Sequence, residues 1–155
     1  MKKTVKITAI VLVSILALGA LGYGGLYLLV RTIHNQKSCV LYNIDNIEVH
    51  TGIDIPKIES YDCEYSKEQN TKKARFDINK SAVNMDRYIE RNEFQKLEAK
   101  TDVEFEQFLK IDNSLADAST SADLYYTKGS YKEETWQSLL DKPTGRLWVT
   151  LRYED

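Results

Sequence analysis

The pattern of hydrophobic positions divides the chain into two parts. From Ile7 to Val30 the sequence carries no charged residue, and Lys6 and Arg31 bracket this apolar run. A helix of that length covers about 36 Å at roughly 1.5 Å per residue, which is enough to cross the hydrocarbon core of a bilayer. We therefore predict a transmembrane signal anchor over residues 1–31, with residues 7–30 in the lipid bilayer, and a polar domain over residues 32–155.

A cleaved secretory signal is the main alternative for the apolar run. Basic residues precede it, and the small pairs Ala17/Gly19 and Ala20/Gly22 resemble cleavage sites. The apolar character continues past both pairs to Val30, although a cleaved signal normally turns polar there. The pattern therefore favours an uncleaved anchor, and lipoprotein processing is excluded because no cysteine lies in the run or just after it.

Basic residues near the run predict its orientation. The lysines before it, together with the amino terminus, outnumber Arg31 and Lys37 behind it. Because cytoplasmic flanks are the more basic ones, we expect a single pass through the inner membrane with the amino terminus in the cytoplasm and the domain in the periplasm. Ala20 and Gly24 form one small-xxx-small step that would allow a weak homodimer of anchors, although a plain anchor is favoured.

Beyond the anchor, the pattern switches between helical and strand periods. Apolar positions from Leu41 to Thr51 follow helical spacing and end at Gly52, which predicts a short helix. Alternating positions predict strands at residues 58–65 and 73–78, joined as a hairpin. A helix is then expected from Ser81 or Asn84 to Ala99, followed by a second helix at residues 101–109, which begins with a capping box.

The carboxyl-terminal part reads as an antiparallel meander. A surface loop at residues 113–123 leads to a strand at 124–127, a turn at Gly129, a second strand or short helix at 135–140, a turn ending at Gly145, and a strand at 147–153. The element order predicts an α+β fold, an antiparallel sheet of four to five strands with helices on one face.

The two cysteines support an extracytoplasmic location. Cys39 and Cys63 both lie behind the anchor, and a lone pair in an oxidising compartment is most simply a disulfide. The alternative is two buried free thiols in a cytosolic protein. A metal site is not predicted, since the chain has no CxxC pair and offers only His34 and His50 as further soft ligands.

The net charge of the predicted domain limits the kinds of molecule that it is expected to bind. All 23 acidic residues lie behind the run, whereas four of the 21 basic residues lie at or before Arg31, so the predicted domain has a net charge of minus 6. This balance argues against nucleic acid and anionic lipid head groups. Acidic residues are densest between Val40 and Glu68. Most such runs are solvated faces, and the functional alternative is a patch that steers a basic protein partner.

A resemblance to a known group of proteins rests on two stretches, Thr51-Gly-Ile-Asp-Ile-Pro-Lys-Ile58 and Leu140-Asp-Lys-Pro-Thr-Gly-Arg-Leu-Trp-Val-Thr-Leu-Arg-Tyr153. They resemble the first strand and the final hairpin of small α+β envelope proteins of Gram-negative bacteria. Many of those proteins carry a lipobox, which this chain lacks, and some are immunity proteins that neutralise secreted toxins. The resemblance implies an envelope location and brings no catalytic motif with it.

Catalytic and cofactor motifs are absent from the sequence. It contains no GxSxG, HExxH, GxxxxGK[ST] or GxGxxG pattern. His50 is interpreted as a residue at a helix carboxyl end that faces the dipole, with no identifiable partner as a base. We predict no enzyme, cofactor or metal, although an unrecognised hydrolase with paired carboxylates is compatible with the sequence.

The sequence therefore predicts a membrane-anchored protein-binding domain, and more specifically an immunity protein that binds and neutralises a secreted toxin. The alternative is a structural or accessory subunit of an envelope complex. Interfaces concentrate Trp, Tyr and Arg at their centres, with charged rims that set encounter rates. On that basis the predicted contact residues are Tyr61, Asp62, Glu64 and Tyr65 on the first strand, and Trp148 and Arg152 on the last.

Overall fold

A computed structural model describes residues 2–41, 43–97 and 123–154. The chain separates into two compact units, Met1–Asn35 and Gln36–Asp155. The first is helix α1, Lys2–His34. Its stretch Val11–His34 has a mean hydropathy of 1.9 and is long and apolar enough to cross a membrane as a single pass.

The second unit is α+β, which confirms the predicted fold class. Its helices are α2 (Asn43–Thr51) and α3 (Met85–Arg91). Its strands are β1 (Ile58–Ser66), β2 (Thr71–Ile78), β3 (Gln95–Lys96), β4 (Leu124–Tyr131), β5 (Glu134–Asp141) and β6 (Arg146–Arg152). They form one antiparallel sheet in the order β1-β2-β6-β5-β4-β3. The sheet has six strands where four to five were predicted, and the short strand β3 is the one that was not expected.

The main core lies between one face of this sheet and the two helices. Alternate positions of β2 and β6 place Ala74, Phe76, Leu147 and Val149 on that face, where all four are buried. Helix α2 adds Ile47, and α3 adds Tyr88 and Ile89. A smaller apolar cluster on the opposite face contains Leu97, Leu124, Leu139 and Trp148.

Helix α3 is shorter than predicted. Asn84 caps it by accepting from the Arg87 amide, as its sequence position suggested. The helix ends at Arg91 because Glu93 adopts a positive φ of 55°, after which β3 pairs with β4. Phe94 and Leu97 matched a helical period, but they lie in the two different apolar clusters.

Two turn assignments illustrate what glycine contributes. Gly145 has a φ of +77°, as its predicted turn requires. Gly129 was expected to turn the chain, but it lies inside β4 opposite Trp136, where a Cβ atom would come within 2.6 Å of the indole ring. The β4–β5 turn instead falls at Lys132 and Glu133. The 135–140 segment is a strand, and the predicted helix at 101–109 and most of the 113–123 loop lie outside the described residues.

Cys39 and Cys63 form a disulfide, as predicted. The bridge fastens the start of the domain to β1 across a sequence separation of 24. Closing a loop of that length removes conformational entropy from the unfolded chain. The bond therefore stabilises the domain by restricting the unfolded ensemble, and it anchors β1 from the side of the main core.

Removing this bridge tests its contribution. The double variant Cys39→Ser/Cys63→Ser should lower the free energy of unfolding by about 3 kcal/mol, because the open chain regains the entropy of a loop of this size. Denaturant titration of the full chain in lipid nanodiscs measures the loss. Alkylation of the unreduced wild-type protein should label neither cysteine, and labelling of both would contradict the bridge.

Candidate functional site

Strand β1 lies at one edge of the sheet. It pairs with β2 through the register Tyr61↔Phe76 to Ser66↔Thr71, and within the described residues its other edge has no strand beside it. Most β1 side chains are solvent-exposed, and Tyr61 is 52% exposed while its ring stacks on Phe76. An open edge offers backbone N–H and C=O groups to an added strand.

The edge carries a local protective contact. The amide of Cys63 donates to the carboxylate of Asp62 at 3.0 Å, so this amide points away from β2. Because backbone groups alternate along a strand, the amides of Tyr61 and Tyr65 face the open edge as well. Asp62 thus covers one edge donor, a device that limits indiscriminate strand addition.

The acidic residues of β1 face basic residues of β2. On the sheet face opposite the helices, Asp62 lies across from Arg75, and Glu64 lies across from Lys73. Opposite charges at such positions stabilise strand pairing modestly. The acidic side chains of β1 therefore lie next to basic side chains of β2. The count of charges along residues 40–68 did not reveal these neighbours, because they come from a different strand.

A half-buried ion pair between β2 and β6 continues this charged face. Asp77 accepts hydrogen bonds from Ser60 Oγ at 2.6 Å and Arg146 Nε at 2.8 Å. The Ser60 hydrogen bond, followed by the Arg146 contact, holds the pKa of Asp77 below its usual value. These contacts tie β1, β2 and β6 together at one end of the face.

The structure separates the predicted contact residues. Tyr61, Asp62 and Glu64 are all exposed on β1, but Tyr61 lies on the helix side, where it stacks on Phe76, whereas Asp62 and Glu64 lie on the opposite face. Tyr65 points to the helix side, where its hydroxyl donates to Asn70 Oδ1. Arg152 is exposed on β6, and Trp148 is only 3% exposed within the second apolar cluster. Trp148 is therefore a core residue and not an exposed contact residue, because the sheet face that was predicted to be exposed carries a second apolar cluster.

A buried lysine supports the region behind β1. Lys72 on β2 is 1% exposed, and its ammonium donates to the Gln36 carbonyl at 2.8 Å and to Asn46 Oδ1 at 2.6 Å. The amine thereby joins the sheet to α2 and to the first residue of the domain. Burial lowers the pKa of Lys72 to about 8, with Glu134 acting weakly in the opposite direction.

An acid–histidine pair lies beside this lysine. His50, 2% exposed at the end of α2, contacts the carboxylate of Glu134 through Nδ1. The hydroxyl of Tyr153 donates to the same Asn46 oxygen, and burial raises the pKa of Tyr153 above its usual value. The predicted lack of a partner for His50 is thus corrected, since its partner lies 84 residues away.

Only part of this polar cluster was accessible to sequence reasoning. Lys72 has the same strand phase as Ala74, Phe76 and Ile78, so its position on the buried face was readable by extending the alternation one step. The hydrogen bonds of Lys72 with Asn46 and Gln36 could not be predicted from the sequence, because they depend on how α2 packs against the sheet. Lys72, His50 and Asn46 are almost wholly buried, so these three side chains act as internal support between α2 and the sheet.

Across residues 2–41, 43–97 and 123–154, no three His, Cys, Asp or Glu side chains are grouped closely enough to hold a metal ion. What the described residues offer is an open strand edge with an exposed tyrosine and carboxylates, next to a strand whose Lys72 is held in the core.

The pKa of Lys72 predicts a specific dependence of stability on pH. In the unfolded chain its pKa is near 10.4, so between pH 8 and 10 the unfolded state binds more protons than the folded state. The free energy of unfolding should therefore rise, by roughly 2 kcal/mol between pH 7 and 10. Denaturant titration across this range measures it. Above pH 10, Tyr88 and Tyr153 act oppositely, because burial raises their pKa values.

A matched pair of variants assigns the effect. Lys72→Met should abolish the rise, whereas Lys73→Met, the neighbouring lysine on the other sheet face, should retain it. A rise that survives in Lys72→Met would show that another group titrates.

No protein-family model, curated protein or solved structure matches this chain significantly. The functional argument therefore rests on the residues and contacts of the chain itself.

Proposed function

We propose that this chain is a membrane-tethered protein-binding domain that holds its partner at the open edge of β1. The observation that carries the proposal is the nine-residue edge strand with an exposed Tyr61 and the carboxylates of Glu59, Asp62 and Glu64. Strand addition supplies affinity through the backbone, and alternate side chains supply specificity.

Charge complementarity supports an extended partner segment with Lys or Arg at alternate positions. Across the sheet, basic Arg75 and Lys73 lie opposite acidic Asp62 and Glu64. A partner strand with basic residues beside those carboxylates would extend the alternation of charge by one more strand. The acidic edge would also attract such a segment during encounter.

The tether supports a role at the envelope. An apolar helix long enough for a single pass precedes the domain, and the disulfide is typical of an oxidising compartment. Together with the basic amino-terminal flank, these features favour the inner membrane, with the amino terminus in the cytoplasm and the domain in the periplasm. We propose that the partner is a secreted toxin, which the immunity domain meets at high effective concentration beside the membrane.

The first prediction from this proposal concerns topology. A reporter that is active only outside the cytoplasm, such as alkaline phosphatase, should be active when fused after Asp155. A reporter that is active only in the cytoplasm should stay silent at the same position. The opposite result would place the domain in the cytoplasm and remove the toxin proposal.

The second prediction concerns the recognition edge. A photo-crosslinking amino acid at position 61 of the full chain should link to a partner protein in living cells, because this side chain stands at the open edge. Position 49 on α2 is a matched control, since Val49 is 49% exposed and Tyr61 is 52% exposed. Equal crosslinking of one protein at both positions would contradict edge binding.

Neutral variants then test the carboxylates on the captured partner. Asp62→Asn/Glu64→Gln should slow association severalfold and leave dissociation almost unchanged, as measured by surface plasmon resonance. Neutralisation is preferable to reversal, because lysines there would face Arg75 and Lys73. Asp45→Asn/Glu133→Gln removes two exposed charges elsewhere and should have little effect. Loss of binding only when the anchor is replaced would favour the accessory-subunit alternative.

A further inference from the structure

A turn at residues 38–41, here called the apolar turn, carries two exposed hydrophobic side chains. Val40 and Leu41 are each 69% exposed, more than Tyr61 at 52% and Val49 at 49%, the other large hydrophobic side chains exposed in the described part of the domain. Exposed apolar side chains are ordinary when they stand singly. Here two of them are adjacent, so they form a small apolar surface in contact with water.

The apolar turn is fastened to the domain. Just before it, the Gln36 carbonyl accepts a hydrogen bond from Lys72 Nζ at 2.8 Å. Within it, Cys39 is bonded to Cys63 on β1, and α2 begins at Asn43. Because these attachments already fix the backbone around the turn, little conformational entropy is left to lose when its side chains contact a partner.

The length of the chain keeps the apolar turn close to the membrane. Helix α1 ends at His34, and Leu41 is the seventh residue after it. An extended chain covers at most about 3.6 Å per residue, so Leu41 lies within about 25 Å of the end of α1 at any angle between the two units. With α1 across a bilayer, the lipid surface is therefore within reach of the turn, whereas a soluble partner must arrive by diffusion.

The charges around the apolar turn suit a lipid surface. From Arg31 to Ile44 the sequence contains no Asp or Glu, although the domain as a whole has an excess of acidic residues. A segment without carboxylates can approach head groups without repulsion from their phosphates. The turn thus differs from β1, whose carboxylates suit a basic protein partner.

We propose that the apolar turn inserts Val40 and Leu41 into the head-group region of the bilayer that α1 spans, which gives the domain its own contact with lipid. Side chains of this kind gain free energy when they leave water. Two of them would hold a free domain at a membrane only weakly, but the anchor makes the contact intramolecular and so raises its occupancy. This contact does not depend on what binds the β1 edge. The disulfide connects the turn to β1, so lipid contact would also restrict how that edge is presented.

The test follows one fluorescent residue in the full chain, reconstituted in phosphatidylcholine nanodiscs with lipid in excess, so that most discs hold one copy. An environment-sensitive fluorescent amino acid replaces Leu41. Two quenchers are compared: phosphatidylcholine with a nitroxide just below its head group, and iodide in the water. The nitroxide should quench the probe at position 41 severalfold more strongly than a probe at a control position, and iodide should quench it less.

Thr144 provides the control position. It is exposed in the turn between β5 and β6. The Ile78 amide, at the end of β2, donates to the Gly145 carbonyl in that turn, whereas Lys72 contacts Gln36 near the beginning of β2. The two probes therefore sit toward opposite ends of the same strand, and only the one at position 41 should meet the lipid.

Substitution beside the probe tests whether the apolar side chains cause the contact. Val40→Asp, with the probe at position 41, should reduce quenching by the lipid nitroxide severalfold and increase quenching by iodide, because a carboxylate resists transfer out of water. Val49→Asp, at an exposed position on α2, should change neither. Both substitutions fall on exposed side chains, so an unchanged Tm is expected and confirms that the fold is intact.

Three results would overturn the proposal. Strong quenching by iodide with little quenching by the lipid nitroxide would show that the turn faces water. Protection from both quenchers would show that protein covers the turn, whether a second copy of the chain or another part of the same domain. Unchanged quenching in Val40→Asp would attribute the lipid contact to the nearness of the anchor alone.

Discussion

Burial of one ammonium group constrains how the domain assembles around its sheet. Lys72 has the core-facing phase of β2, between Tyr65 on one neighbouring strand and Leu151 on the other. An ammonium without partners at such a place would be costly, so the Gln36 carbonyl and Asn46 must both reach it. Those two contacts fix where the domain begins and how α2 lies on the sheet. The lowered pKa of Lys72 records the remaining cost of desolvation.

The disulfide and the lysine act on the same part of the chain. Cys39 follows Gln36 by three residues, and Cys63 pairs across β1 and β2 with Ala74, two positions from Lys72. One attachment is covalent and restricts the unfolded chain, whereas the other depends on hydrogen bonds formed in the folded state. Together they secure β1 from the core side. Among the described residues, β1 is therefore attached to the domain by its pairing with β2 and by the disulfide, without a second neighbouring strand.

The sequence predicted the features that depend on the local hydrophobic period, and it predicted the disulfide because the chain has only two cysteines to pair. The apolar run, the β1–β2 hairpin and the disulfide all follow from such patterns. Prediction failed where distant packing overrides local period. Phe94 and Leu97 continued a helical stripe, yet they serve opposite sheet faces. Trp148 was predicted to be exposed because it alternates along β6 with residues that face the main core. It is instead buried within a second apolar cluster on the opposite sheet face. The His50–Glu134 contact required the tertiary structure, since nothing local joins these residues.

The proposed recognition edge must attract one partner and resist others, and its charges serve both needs. Asp62 occupies the outward Cys63 amide, so a neutral strand that approaches the edge must displace a carboxylate and leave it without compensation. A strand that brings Lys or Arg to this position exchanges the amide contact for an ion pair. The same carboxylate then rejects neutral strands and favours basic ones, because specificity is a difference between two binding free energies. Arg75 opposite Asp62 reinforces the choice, since it offsets part of the negative charge when no partner is bound and so limits the repulsion within the acidic row.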